Sequence, residues 1–301
     1  MAAKALDPTD IRKGIGYMVI ASFCFALTGA CARYLRDDIN PIELVLFRNL
    51  IGVVFIYYSI KRAPLVQVGG RIWLLIFRGV IGTLALYTFF YGISKIGLAI
   101  SITYQQSYPV FLALMGAFYL GEKLKISEWL AIILGFAGIC LIFLPSIDTS
   151  GLSIKHHITG MSNALMTGMA YLSIRGLSQF YDQRAIILSF MLSGILLPIA
   201  SLTMGHYVHV PELDFLIDGF DLPKLTNYPV ILLLGIAALI GQVYLTKAFT
   251  FQKTGVIGAM GYTNILFSII FGTMLGDAFP NLTSMCGIGL IIACGIMISR
   301  K

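Results

Sequence analysis

Apolar runs of about 18 residues or more recur along this chain from end to end, and no other feature constrains its fold as strongly. They lie at roughly 14–35, 41–60, 72–94, 97–120, 126–144, 158–178, 185–204, 229–250, 255–275 and 281–299. In hydrocarbon an unpaired backbone amide costs several kcal/mol, so each run must close its hydrogen bonds within a helix. The connections are mostly short, and none is long enough to hold a soluble domain. Composition agrees: of 301 residues 58% are hydrophobic and 12% charged, where a soluble chain carries roughly a quarter charged residues. The expected fold class is an all-α integral membrane protein with ten transmembrane helices.

The net charge of +7 raises the question of a polyanionic partner, and its distribution answers it. With the N-terminus inside, cytoplasmic segments hold Lys4, Arg12, Lys13, Lys61, Arg62, Arg71, Lys123, Lys125, Arg184, Lys253, Arg300 and Lys301. The outer segments hold only Arg33, Arg36, Lys95, Lys155 and Lys224. This bias predicts that both termini are cytoplasmic, and the basic charge sets topology, so no nucleic acid is expected as a partner. The first 13 residues are polar and no small-residue cleavage site follows the first run, so that run is expected to be retained. All five cysteines lie inside spans, and no structural disulfide is expected.

The chain also resembles itself. "LGEKLKISEWLAIILGFAGICLIF" at 120–143 matches "LGDAFPNLTSMCGIGLIIACGIMI" at 275–298, an offset of 155. Gly121-Glu122 falls on Gly276-Asp277, and Pro109 falls on Asn264. Upstream, "RGVIGTLALYTFFYGI" matches "LGIAALIGQVYLTKAF" at 156. The organisation predicted is a cytoplasmic N-terminal segment (1–13), a five-helix repeat (14–144), an outer linker (145–157) and a second five-helix repeat (158–299). Five is odd, so the second copy enters the membrane from the opposite side. Inverted repeats with a site near the midplane are a transporter architecture.

These residues carry a family resemblance. The "LFRN" of span 2, "FRG" of span 3, "YP" in span 4, the "LGEKL" that closes it and the Gly-rich spans 5 and 10 resemble the EamA family of drug/metabolite transporters. The likeness covers the whole chain. It implies a carrier of a small molecule, with spans 1, 3, 4, 6, 8 and 9 around a central cavity and spans 5 and 10 at the periphery. The second half departs from the pattern at Asn264, where it lacks the span-4 proline, so the two halves need not open equally.

Polar groups inside spans are the candidates for that cavity. In "SITYQQSYPVF", Tyr104, Gln105 and Tyr108 share a helical stripe with Ser101, Leu112 and Met115. Pro109 is the candidate helix kink, since it withdraws the hydrogen bond owed to the Gln105 carbonyl. Asn163, Thr167 and Tyr171 form a rail on span 6, and Tyr87 and Tyr91 share a face of span 3 with Thr83. Gln242 and Tyr244 on span 8, and Tyr262 and Asn264 on span 9, complete the candidate substrate-binding set. Tyrosine suits such a wall, offering an apolar ring and a hydroxyl. Helix-to-helix bonding is the competing use of every one of these groups.

The in-span charges Arg48, Arg78 and Lys247 are all basic. Arg78 is a candidate for an electropositive vestibule or, as a structural group, for snorkelling or bonding free carbonyls, and Lys247 for snorkelling. Arg48 follows Glu43 by five residues, and a structural Glu–Arg pairing is the simplest expectation for it. Glu122 and Asp277 read as helix-end charges. No carboxylate lies mid-span, leaving Glu43 as the one coupling candidate. "HYVHVPELD" carries His206, His209, Glu212 and Asp214 at a spacing too loose for a metal site. No Walker, CxxC or HExxH motif appears, so neither cofactor nor metal is expected.

The favoured function is a secondary transporter, a permease or exporter, moving a small polar metabolite such as an amino acid or related carboxylate by alternating access. A bacterial cytoplasmic (inner) membrane is the expected location. A membrane enzyme would need a nucleophile, metal set or acid pair at one depth, which cannot be assembled here. A non-transporting assembly protein would use the Gly-rich spans 5 and 10, which are also the candidate homodimer interface.

Overall fold

The computed structural model describes residues 8–96, 98–121, 123–143, 154–207, 213–251, 254–275 and 282–299. Glu122, Asp277, His209, Glu212 and most of the 145–157 linker, all singled out above, lie outside the described residues. Within them the chain is helical and has no strand. In order, α1 is Pro8–Leu35, α2 Pro41–Arg62, α3 Ile72–Ile96, α4 Leu98–Gln105, α5 Tyr108–Leu120 and α6 Ile126–Phe143. Then come α7 Ile154–Leu177, α8 Gln183–Tyr207, a 3-10 turn Leu225–Asn227, α9 Tyr228–Phe251, α10 Thr254–Met260, α11 Thr263–Met274 and α12 Leu282–Ser299.

Among the described residues, six segments are long and apolar enough to cross a membrane: Arg12–Leu35, Pro41–Arg62, Ile72–Lys95, Gln183–Tyr207, Leu225–Thr250 and Val256–Met274. Tyr108–Leu120, Ile126–Leu141 and Met285–Cys294 are shorter apolar helices. Large apolar side chains such as Val54, Phe55, Trp73, Phe118 and Leu196 face outward from the bundle. That surface suits lipid and does not suit water.

Local chemistry sets the ends. Asn40 caps α2: its side chain accepts from the Glu43 N–H at 2.9 Å, the Glu43 carboxylate accepts from the Asn40 N–H at 3.3 Å, and Pro41 fills the first turn. Gly121 ends α5 in the left-handed region at φ 63°, a conformation that costs a side-chain residue more than glycine.

Two of the apolar runs are broken in the middle. The first stops at Gln105 and restarts at Tyr108 with Pro109 in its opening turn. The second stops at Met260 and restarts at Thr263 without any proline. There the turn is closed by tighter bonds, Gly261 N–H to the Gly258 carbonyl (2.9 Å) and Tyr262 N–H to the Ala259 carbonyl (3.1 Å). The two breaks meet. Gln106 donates through Nε2 to the Gly261 carbonyl at 2.9 Å, and Tyr108 donates through Oη to the Gly258 carbonyl at 3.2 Å. A Cβ at Gly261 would collide with the Tyr108 hydroxyl, so the close approach requires glycine there.

Packing follows a regular exchange. α1 packs on α9 and α11, α3 on α7 and α8, α2 on α8 and α9, and α5 on α7 and α10. α6 and α12 pack mainly on each other. A Cβ on Gly138 would lie 2.7 Å from the Gly287 carbonyl oxygen, so these two backbones nearly touch, as small residues allow between membrane helices.

Candidate functional site: a central cavity with two arginines

The helices surround a partly open cavity of about 80 Å³. At roughly 10–15 Å³ per water, it has room for several waters or a small polar group. Its wall takes Met18, Ser22, Phe25, Thr28 and Gly29 from α1, and Gly82, Ala85, Leu86, Phe89 and Phe90 from α3. The first break supplies Ile102, Gln105, Gln106 and Tyr108, and the second Gly261, Asn264 and Ser268. α7 adds Thr167, Ala170 and Tyr171, and α9 adds Gln242 and Leu245. α6 and α12 add none of the lining residues, while α2 and α8 reach the cavity through one side chain each, Arg48 and Phe190. The restarted helices α5 and α11 both begin on this wall, so their partly positive N-termini open onto it.

Of the residues singled out in the sequence, Arg78, Gln105, Tyr108, Thr167, Tyr171, Gln242 and Asn264 are brought together here. Tyr171 stands edge-on to Tyr108, with centroids 5.0 Å apart. Gln242 donates to Thr246 Oγ1 at 3.3 Å. Asn264 donates to the Ser22 carbonyl at 2.9 Å, tying α11 to α1.

The other candidates lie elsewhere. Tyr87 bonds Ser201 at 3.1 Å between α3 and α8. Tyr91 sits at the end of α3 beside Phe215, Lys95 and Lys155. The Tyr104 ring rests on Gly160. Asn163 donates to the Ala85 carbonyl (2.6 Å) and to Thr88 Oγ1 (3.3 Å), joining α7 to α3. Tyr244 packs against Tyr17 and under Lys247. Tyr262 fills the space over Gly135 and donates to the Ile132 carbonyl at 3.2 Å. Pro109 is buried in the first turn of α5.

Glu43 is also away from the cavity. Besides capping α2, it accepts from the Asp221 N–H at 2.6 Å and so fastens the 213–224 segment over one end of the bundle. The expected pairing of Arg48 with Glu43 is therefore corrected: backbone N–H groups take the carboxylate. Five residues along a helix also turn two side chains well apart.

Arg48 was not among the expected substrate contacts, yet it faces the cavity. It is 5% exposed and Arg78 is 1% exposed. Neither has a hydrogen bond or ion pair among the described residues. Arg78 therefore neither snorkels nor bonds free carbonyls. Its guanidinium carbon lies 4.4 Å from the Phe190 ring centroid, and that of Arg48 lies 5.5 Å from the same centroid. Four buried side-chain polar atoms lack a partner among the described residues: Ser22 Oγ, Arg48 Nη1, Arg78 Nε and Asn163 Oδ1. The first three belong to lining residues. Buried polar groups are nearly always bonded, so orphans gathered around one void call for an explanation. Sequence alone offered one signal for Arg48, namely that a charge within a span is expensive. Gln106 carried the same in-span polarity but fell off the helical stripe drawn through Gln105, and Ser22 and Phe190 gave no comparable signal.

Comparisons with known proteins point the same way. The model of the EamA-like transporter family matches residues 12–144. A protein of Helicobacter pylori (strain J99) named "Uncharacterized transporter" is 33% identical over 290 residues, covering 95% of this chain and 94% of its own. The pseudopaline exporter CntI of Pseudomonas aeruginosa is 26% identical over 292 residues, covering 96% of this chain and 97% of its own. A solved crystal structure shares the fold at a TM-score of 0.73 and 15% identity, covering 96% of each chain.

Proposed function

Since the chain belongs to the EamA-like transporter family, we propose that it is a secondary transporter that moves a small polar metabolite through the central cavity by alternating access. The favoured cargo is an amino acid or related carboxylate. The observation that carries this reading is the cluster of unpartnered polar atoms on residues around a central cavity lined from both halves of the chain. A relative named for exporting pseudopaline supports a metabolite carrier over a membrane enzyme or a non-transporting assembly protein.

The proposed architecture is ten spans in two inverted five-helix repeats, at 14–144 and 158–299, with both termini cytoplasmic in a bacterial inner membrane. Exchange of packing partners supports it. Swapping the halves turns the α1–α9 pair into α7–α3, α2–α9 into α8–α3, and α1–α11 into α7–α5, all of which are packed pairs. A homodimer through α6 and α12 would use their outward faces, which carry Cys140 and Cys286, because the inner faces are spent on each other.

The test is counterflow with purified protein in liposomes loaded with unlabelled amino acids or carboxylates. Protein-dependent uptake of a labelled external substrate is expected. Uptake no faster than into protein-free liposomes, across both classes, would reject the reading.

A further inference from the structure

We propose that Arg48 and Arg78 together receive a dianionic group, a dicarboxylate or a phosphate monoester, against the Phe190 ring; this deepens the transport reading and rests on it. Two guanidiniums lie over one ring, at 5.5 and 4.4 Å from its centroid, so their charges are at most about 10 Å apart, within the range over which buried charges act on each other. Among the described residues no carboxylate lines the cavity with them. Four other basic side chains are compensated, Arg184 by Asp182, Lys155 by Asp214, Lys224 by Asp38 and Arg175 by the Thr250 carbonyl at the end of α9, while Lys247, only part-buried, lies over the Tyr17 and Tyr244 rings. A buried lysine can shed its proton to escape such a position, whereas arginine stays charged. A pair of buried, permanently cationic and unmatched groups is therefore a standing cost. A single carboxylate would relieve only half of it, and two negative charges relieve all of it.

The geometry suits oxyanion capture. A guanidinium presents a planar fork of donors that matches carboxylate and phosphate oxygens, and stacking on Phe190 orients the fork without occupying those donors. Gly82 makes room, since a Cβ there would strike Arg78 Nη1 and the Phe190 ring.

Thermal unfolding of the purified full-length protein tests this, with succinate, glycerol 3-phosphate and leucine as probes at matched ionic strength. The wild-type Tm should rise by about 4 °C or more when a dianion reaches ~100 times its dissociation constant, with no rise from leucine. A response to succinate alone assigns a dicarboxylate, and one to glycerol 3-phosphate alone assigns a phosphoryl group. Arg48→Gln and Arg78→Gln should each raise the ligand-free Tm, by removing an unmatched charge, and abolish the dianion response. Arg48→Lys and Arg78→Lys should keep the charge and weaken binding about tenfold. The proposal is overturned if neither dianion exceeds leucine, or if both Gln variants fail to fold or melt below the wild type, since the arginines would then be structural. Leucine flux in liposomes with no dianion response would leave transport standing and remove this inference. A dianion response without any flux would do the reverse.

Discussion

Gln105 and Gln106 are neighbours with different fates. Gln105 is half-buried at the cavity wall, with no side-chain bond among the described residues. Gln106 is buried and holds the Gly261 carbonyl. A helical stripe drawn through 101–115 as one continuous helix selects Gln105 and leaves Gln106 aside. The turn at Gln106–Ser107 rotates α5 relative to α4, so part of the wall was invisible to a periodicity argument. In-span polarity did mark Arg78, Tyr108, Thr167 and Tyr171, because polar groups in hydrocarbon need a reason. It could not tell a cavity from a helix contact at Asn163 or Tyr262, whose partners lie 78 and 130 residues away in the chain. Gln105→Leu should lower counterflow while leaving the Tm unchanged. Gln106→Leu should strand a buried carbonyl and cost about 1–3 kcal/mol of stability, read as a lowered Tm. The reverse pattern would exchange the roles of the two residues.

At the scale of elements, helix positions were legible from hydropathy, since a long apolar run has only one way to satisfy its backbone. The break between α10 and α11 was not. Local chemistry offers no proline there, and the interruption depends on a tertiary fit, with the Tyr108 hydroxyl where a side chain at Gly261 would be. The α6–α12 pair has a similar logic, and Gly138 tests it. A methyl group at 138 would press on the Gly287 backbone, which cannot turn aside as a side chain can. Gly138→Ala should destabilise by about 1–3 kcal/mol, lowering the Tm, yet leave the substrate KM of surviving protein unchanged, because neither helix lines the cavity. A changed KM would tie α6 to the transport pathway. The direction of the spans is tested separately. Reporter fusions after 95, 155 or 224 should read outside, and those after 62, 124 or 253 cytoplasmic. A cytoplasmic signal at 155 would overturn the inversion.

For the whole molecule, acids paired with bases hold the two ends, and bases without acids lie between them. At one end the 213–224 segment is strapped down: Asp214 bonds Lys155 at 2.7 Å and approaches Lys95 at 3.4 Å, Glu43 takes the Asp221 N–H, and Lys224 meets Asp38. At the other end Arg184 binds Asp182 together with the Ser59, Ala63 and Pro64 carbonyls. Among the described residues, the cavity between holds guanidiniums and no carboxylate. Burial opposes ionisation of Asp214, but its bonds to Lys155 and Tyr91 outweigh that and hold the carboxyl below the usual carboxylate range. A depressed carboxyl stabilises the folded clamp at pH values above the unfolded value of about 3.9 and ceases to do so as the pH falls through its own lower value. Above about pH 5 Asp214 therefore stays ionised and its bond to Lys155 is kept. A carrier whose pathway holds no acid has nothing at mid-depth to take a proton across. Reconstituted protein should therefore run by uniport or exchange, down a substrate gradient, with no imposed pH gradient. Glu43→Gln should lower accumulation or Tm, since the side chain caps α2 and anchors the strap, and should leave the driving force unaltered. A strict requirement for a proton gradient, lost in Glu43→Gln, would make Glu43 the coupling site and give the strap it holds a part in the transport cycle.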